Sequence, residues 1–355
     1  MEHAQIILWR VPLQENPVGQ NKIDVVIAWV DGNDPAWLAE KERVSPSALA
    51  DGRALRYRDW GVLPYLFRGL ERFAPWVNNV HLVTWGHLPT WLNIDHPKLH
   101  IVNHNDYIPS EYLPTFSSHT IELNLHRIEG LAEQFIYFND DMFLLRPVDA
   151  DRFFRNGLPR DFAIMNPAYT LDLAEGSGDD QIFYIPYNNI NHLNAHYSMR
   201  TCIKQHPMKW YHPVYGVDLL RNLLLFPWGR FVGFVDNHLP QPYRKSAFTA
   251  AWADSFAALD ATCRNPIRTD HDVNHWYIRY RQLAEGNFCP IRQIKDAVFA
   301  LKTDNAEIFD TIKRQRLPLL CLNDSPFIGA HFAKEQAKLQ HAFEQILPEK
   351  SGYER

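Results

Sequence analysis

FIYFNDDMF, from Phe135 to Phe143, decides the fold. Residues Phe135 to Phe138 are apolar or aromatic, and polarity then arrives abruptly as Asn139-Asp140-Asp141. This pattern predicts a buried strand that delivers an amide and two carboxylates at its carboxyl end. In open α/β sheets, strand ends and their loops form the ligand crevice. Two adjacent acids are costly to bury together and require a counter-charge, either a divalent cation or a nearby arginine. A solvated Asp-Asp turn is the plainer alternative. The apolar runs on both sides, including Met142 to Leu145, favour a site.

Upstream, IDVVIAWVDGNDPAW (Ile23 to Trp37) holds a nearly continuous apolar run from Val25 to Val30, as in a strand covered on both faces. Asp31-Gly32-Asn33-Asp34-Pro35 ends it with turn chemistry, and neither GxGxxG nor a Walker pattern is present. Residues 1–21, broken by Pro12, Pro17 and Gly19, read as an arm. Arg58 to Phe73 has helical periodicity, with Pro64 suited to the first turn. Val80 to Trp85 and Lys98 to His104 read as further strands, so the order implies parallel βαβ units. Ser117 to Gln134 predicts a helix that brings Glu122, His126 and Glu129 to one face near the crevice.

Beyond Pro147 the chain changes character. Asp149 to Asn194 is rich in Asp, Asn, Gly and Pro without sustained periodicity, and 166–200 is expected to be a mobile lid or acceptor loop around Gly176-Ser177-Gly178. Leu219 to Leu225, Phe248 to Leu259, His275 to Leu283 and Lys334 to Ile346 read as helices. The fold expected is therefore α/β: a Rossmann-like, mainly parallel sheet with a largely helical C-terminal part. One catalytic domain spans 22–355, made of a nucleotide-binding half (22–165), the loop region (166–200) and a helical half (201–355).

Hydrophobic residues make up 46% of the chain, enough for a sizeable core, and the formal net charge of -5 gives no basis for nucleic-acid binding. Cys202, Cys263, Cys289 and Cys321 form no CxxC pair, which points to reduced thiols in a cytoplasmic setting. The N-terminal stretch does not read as a signal peptide, and no apolar run approaches the roughly twenty residues of a transmembrane helix. Peripheral placement at the inner face of the cell membrane, with capsule machinery as partner, stays open.

Three polar clusters interrupt the second half: DNHLPQPYRKS (Asp236 to Ser246), NPIRTDHDVNHW (Asn265 to Trp276) and LPLLCLNDSP (Leu317 to Pro326). They offer His238, Arg268, His271, His275 and Asn323. His271 and His275 are four residues apart, but HDVNH lacks the glutamate of a zinc-protease HExxH. Strand-end acids can hold Mg²⁺ or Mn²⁺, arginine can clamp phosphate, and a histidine near its usual pKa of about 6.5 can take a hydroxyl proton. These are the parts for phosphoryl transfer, where positioning and charge stabilisation do most of the catalysis. Sugar transfer would use similar parts.

IDVVIAWVDGNDPAW and LPTFSSHTIELNLHRIEGLAEQFIYFNDDMF resemble the first two conserved blocks of the Stealth family, the bacterial capsular and cell-wall polysaccharide phosphotransferases together with animal N-acetylglucosamine-1-phosphotransferase. His238 to Arg281 resembles the third block; LPLLCLNDSP with FEQILPEKSGYE (Phe343 to Glu354) resembles the fourth. The resemblance implies a glycosyltransferase-A-like core that binds a UDP-sugar. It also implies transfer of hexose-1-phosphate to a glycan hydroxyl with release of UMP. By position, Glu122, Asp141, His238, Arg268 and Asn323 are the implied catalytic residues. Asp140 and Asp141 would hold Mg²⁺ or Mn²⁺, and Trp29, Val30, Asp31, Gly32, Asn139 and Arg127 would lie against the donor. Two other classes use the same residues: a metal-dependent glycosyltransferase releasing UDP, and a non-catalytic glycan binder that exploits the 11 Trp and 15 Tyr.

Overall fold

The computed structural model describes residues 22–44, 58–168 and 181–355. The expected arm and Gly176-Ser177-Gly178 lie outside the described residues. In chain order the strands are β1 (Ile23–Ala28), β2 (Val80–Thr84), β3 (Leu99–Asn103), β4 (Gln134–Asn139), β5 (Met142–Leu144) and β6 (Phe154–Arg155). They continue with β7 (Leu158–Asp161), β8 (Gln241–Arg244), β9 (Cys289–Pro290), β10 (Val298–Ala300) and β11 (Leu319–Asn323).

The main sheet runs β3-β2-β1-β4-β8, with the first four strands parallel and β8 antiparallel at the edge. β1 and β4 are buried along almost their whole length because both faces are covered. Alternation sorts their side chains. Val25, Ile27, Ile136 and Phe138 enter a core with the helix Leu63–Phe73 and the helix Phe332–Glu344. Val26, Phe135 and Tyr137 enter a second core with the helices Lys245–Asp254, Phe256–Cys263 and His275–Ala284. Asn139, two residues past Tyr137, therefore shares the helical side.

The site follows from topology. β2 and β3 lie on one side of β1 and β4 on the other, so the strand order reverses between β1 and β4. That is where a crevice opens in such sheets. Ala28 is level with Asn139, which sets Trp29 and Asp140 at neighbouring strand ends. Asp140 and Asp141 then carry the chain out of the main sheet. β5 resumes at once but pairs antiparallel with β11, in a second sheet ordered β10-β11-β5. The acidic turn is thus a junction between sheets.

The expected α/β architecture, its parallel strands and its helical C-terminal part are all present. Four local expectations are corrected. Residues 166–200 are not irregular throughout: Gln181–His196 is a helix that buries Ile185, Ile190 and Leu193, and Met199–Gln205 begins another. Asparagines and Pro186 conceal its periodicity in the sequence. The helix from Ser118 stops at Leu123 and gives way to a 3₁₀ turn at Leu125–Arg127, so Glu122, His126 and Glu129 share no face. The expected helix from Phe248 to Leu259 is two helices broken at Ser255. Finally, QPYR in the first polar cluster is an edge strand, admitted there because Pro242 leaves only one ladder donor missing.

Candidate active site at the β1–β4 crevice

His238 stands three residues before β8 and reaches the end of β4, where its Nε2 lies 2.6 Å from the Asn139 amide nitrogen. Asp141, His238 and Cys321 each point a potential ligand atom inward, all within 4.8 Å of one another. β11 delivers Cys321 because the Leu322 N–H bonds the Asp141 carbonyl at 2.9 Å, fixing the register across the junction. Asn323 ends the same strand, two residues on. The Asp141 Oδ1 is buried with no hydrogen-bond partner. Burial raises the Asp141 carboxyl, although His238 and Cys321 favour its charged form. Asp140 is open to solvent at the turn; enclosure by the surrounding walls and then the Asp141 charge push its carboxyl up to about 7, a shift that its exposure tempers.

The loop bearing His238 is anchored from below. Arg279, fully buried, makes a two-pronged pair with Asp161 at 2.8 and 2.8 Å and a third bond to Asp236 at 2.7 Å. Tyr280 also donates to Asp236, and Asn237 binds the Ile294 carbonyl. Asp236 and Asn237, immediately before His238, are therefore tied to the His275–Ala284 helix and to the Ile294 carbonyl, which fixes the approach of the chain to His238.

A second acidic group lies on the same side of the sheet. Glu122 is buried; the Tyr137 hydroxyl donates to its Oε1 at 3.4 Å, and the His275 Nε2 is 3.8 Å from its Oε2. Asn274 caps the helix behind His275 by accepting from the Trp276 N–H. Arg268 donates to Ser118 at 2.6 Å, and its charge acts on Glu122. Burial nevertheless dominates and pushes the Glu122 carboxyl up to about 7, against Arg268, Ser118 and Tyr137. Burial, then the neighbouring His238 and His119, hold the His275 ring well below its ordinary range, so it is neutral. The His275 ring thus faces Glu122 while also feeling the His238 charge.

At the end of β1, the Asp31 N–H donates to the His87 Nε2 at 2.7 Å, and the Trp29 ring meets His87 edge-on. Burial lowers the His87 pKa against the pull of Asp34 and Asp31, consistent with an accepting, neutral ring. Trp29, Val30, Asp31 and Gly32 are all partly exposed along this turn.

The structure brings Asp141, His238, Asn139 and Asn323 to one junction, with Glu122 and Arg268 beside it and Trp29 to Gly32 at the adjoining strand end. Arg127 does not join them: it is exposed, bonded to Asn124 and stacked over Trp252. His271 is also exposed, in a turn before the helix that buries His275, so those two do not form a pair. Sequence reasoning did not single out Tyr137, Ser118 or His87, nor Cys321 as a donor. Tyr137 was detectable in principle, since strand alternation puts it on the face of Asn139.

For a divalent cation the junction offers one oxygen donor and two softer ones, with Asp140 exposed at the same turn. The orphaned carboxylate oxygen of Asp141 is a donor of the kind Mg²⁺ or Mn²⁺ takes, while His238 and Cys321 are softer donors than Mg²⁺ prefers.

Two family models match the chain: Stealth protein CR1, conserved region 1, over residues 21–48, and Stealth protein CR2, conserved region 2, over residues 56–161. The capsular polysaccharide phosphotransferase WcwK of Streptococcus pneumoniae is 37% identical over 340 residues, covering 94% of this chain and 99% of the relative. The chain belongs to the Stealth family. The exopolysaccharide phosphotransferase cps2G of Lactiplantibacillus plantarum is 34% identical over 95% of this chain and 97% of its own. The receptor polysaccharide phosphotransferase WefC of Streptococcus oralis is 34% identical over 94% and 99% respectively. The Stealth CR2 region ends at residue 161, so it contains the helix with Glu122, strand β4 and the Asp140-Asp141 junction.

Proposed function

We propose that this Stealth protein is a polysaccharide phosphotransferase that moves hexose-1-phosphate from a UDP-sugar to a hydroxyl of a glycan acceptor. The observation that supports it best is the convergence of His238 on Asp141 at the β1–β4 switch point, in a chain that aligns end to end with polysaccharide phosphotransferases.

In the proposed reaction the acceptor hydroxyl takes the place of the Asn139 amide at the His238 Nε2 and gives up its proton there. Its oxygen forms a bond to the sugar-bearing β-phosphorus of the donor. The bond from that phosphorus to the bridging oxygen breaks, and UMP leaves with the electron pair. The bond between the sugar C1 and its oxygen is untouched, so the anomeric configuration is retained and the product is a phosphodiester. Arg268 neutralises charge on the phosphate oxygens, and Asn323 orients a reactant through its amide. Trp29 to Gly32 lie against the uridine, held by His87. Asp140 and Asp141 would hold Mg²⁺ or Mn²⁺, which when bound neutralises diphosphate charge.

The test is to incubate the protein with a panel of UDP-sugars and an acceptor oligosaccharide and to identify the nucleotide released. UMP with a phosphodiester product is expected; UDP with a glycosidic product would replace this reading by sugar transfer, and no turnover would leave a binding protein. His238→Ala is expected to abolish UMP release with the fold intact by circular dichroism. Near-normal turnover would exclude His238 as the base.

A further inference from the structure

The helix Leu219–Leu225 is built inside out. Its one buried residue is Asn222, whose amide donates to the Ala163 and Trp210 carbonyls and accepts from the Met165 N–H. Leu219 and Leu225 at its ends pack partly against the core, but the three leucines between them face outward: Leu220, Leu223 and Leu224 are 59%, 56% and 72% exposed. Spaced i, i+3 and i+4, they form one stripe, continued past the helix by Trp228 at 67%. An ordinary surface helix turns this stripe into the core. A polar anchor with an apolar outer face marks a surface meant to be covered.

Charge decides by what. Arg221 lies on the helix itself, Arg230 follows Trp228 by two residues, and the acid at the start of the helix, Asp218, is paired with Lys295 at 2.9 Å, although the whole chain is at -5. Arg200 lies against the Phe226 ring beside Trp228. A second copy packed face to face would bring this positive rim onto itself, which disfavours a two-fold dimer here. Apolar side chains, a tryptophan and a basic rim on one protruding element suit the interface of an anionic lipid bilayer. We propose that the Leu219–Trp228 segment docks this protein on an anionic membrane surface.

Full-length protein should be sedimented with vesicles of phosphatidylcholine alone and of equal parts phosphatidylcholine and phosphatidylglycerol. Binding is expected to the anionic vesicles only and to weaken with salt. The triple variant Leu220→Ser, Leu224→Ser, Trp228→Ser, whose side chains touch no part of the core, should keep its circular dichroism and donor turnover but lose at least about ten-fold in vesicle binding. Arg221→Glu with Arg230→Glu should lose a similar factor. Absence of binding to anionic vesicles, or equal binding by the triple variant, would overturn the proposal. So would a dimer in light scattering that the triple variant dissolves, because a second copy would then be the occupant.

Discussion

Replacing Glu122 by glutamine should make the protein more stable at pH 8 and leave it nearly unchanged at pH 5. Glu122 is buried, and its carboxyl is shifted from 4.5 to about 7. The folded state therefore holds this proton more tightly than the unfolded chain does. The stability from the protonated form is fully present below pH 4.5 and is lost as pH rises through 7. A shift of this size corresponds to about 3 kcal/mol once both states are ionised, of which about 2.5 kcal/mol develops between pH 5 and pH 8. Glutamine keeps the shape and stays neutral, so it mimics the protonated acid at every pH. Urea titrations of both proteins at the two pH values isolate the effect, because every other titrating group cancels in the difference. Parallel pH dependence in wild type and variant would refute the reasoning that burial, not Arg268, governs this carboxyl. If the variant is also the weaker catalyst, then Glu122 is a charge kept for chemistry at the expense of stability.

Arg279→Met would strand Asp161 and Asp236 without their cation and should cost about 3–5 kcal/mol in urea unfolding; a change below about 1 kcal/mol would mean that the anchor under His238 is not the network described. Arg268→Gln removes the cation nearest Glu122, so the pH at which that stability is lost should move upward, and an unmoved midpoint would separate the two residues. Asp24, at the opposite end of β1, is buried; burial would raise its carboxyl, but His81, Asn78 and the Ala132 N–H together lower it. Its contribution is present above the ordinary carboxylate pKa and lost as pH falls through the lowered one, so Asp24→Asn should be destabilised at pH 7 and approach wild type only as pH falls below that lowered pKa. Turnover per folded molecule should not change, because Asp24 lies at the amino edge of the sheet.

The sheet was legible because its evidence is local. A continuous apolar run in β1 and β4, each stopped by acids, identifies buried parallel strands and their carboxyl ends without any partner. The helix Gln181–His196 was not legible, because its buried positions are diluted by asparagines that bond to the Asp270–Asn274 segment. Glu122 lies beside Tyr137 and His275, although not on the continuous helix that its spacing with His126 and Glu129 suggests. What places it is the Tyr137 hydroxyl from the next strand. Arg127 shows the reverse. One 3₁₀ turn after Leu123 sends it to the outer surface over Trp252, a difference that no spacing in the sequence reveals. Cys321 was hidden because its significance depends on β5 leaving the main sheet to pair with β11.

The buried acids of this protein fall into two kinds, and the division bears on where a ligand binds. Asp24 accepts from a side-chain amide and two main-chain N–H groups and meets His81, Asp161 is gripped on both oxygens by Arg279, and Asp272 accepts from Thr269 and Asn265 and meets His119. Each is complete within the protein and serves to join elements distant in sequence. Glu122 is buried and Asp141 partly so, yet each leaves a buried oxygen without a partner and each has its carboxyl raised. A folded chain tolerates such groups only where something else completes them, because an unpaired buried polar atom is destabilising by about 1–3 kcal/mol. Glu122 and Asp141 lie beside the β1–β4 crevice, and a third acid of this kind among the described residues, Asp324, follows Asn323 at the end of β11 with Arg58 3.4 Å away. This separation, more than the presence of acids, locates the site at the junction of the two sheets.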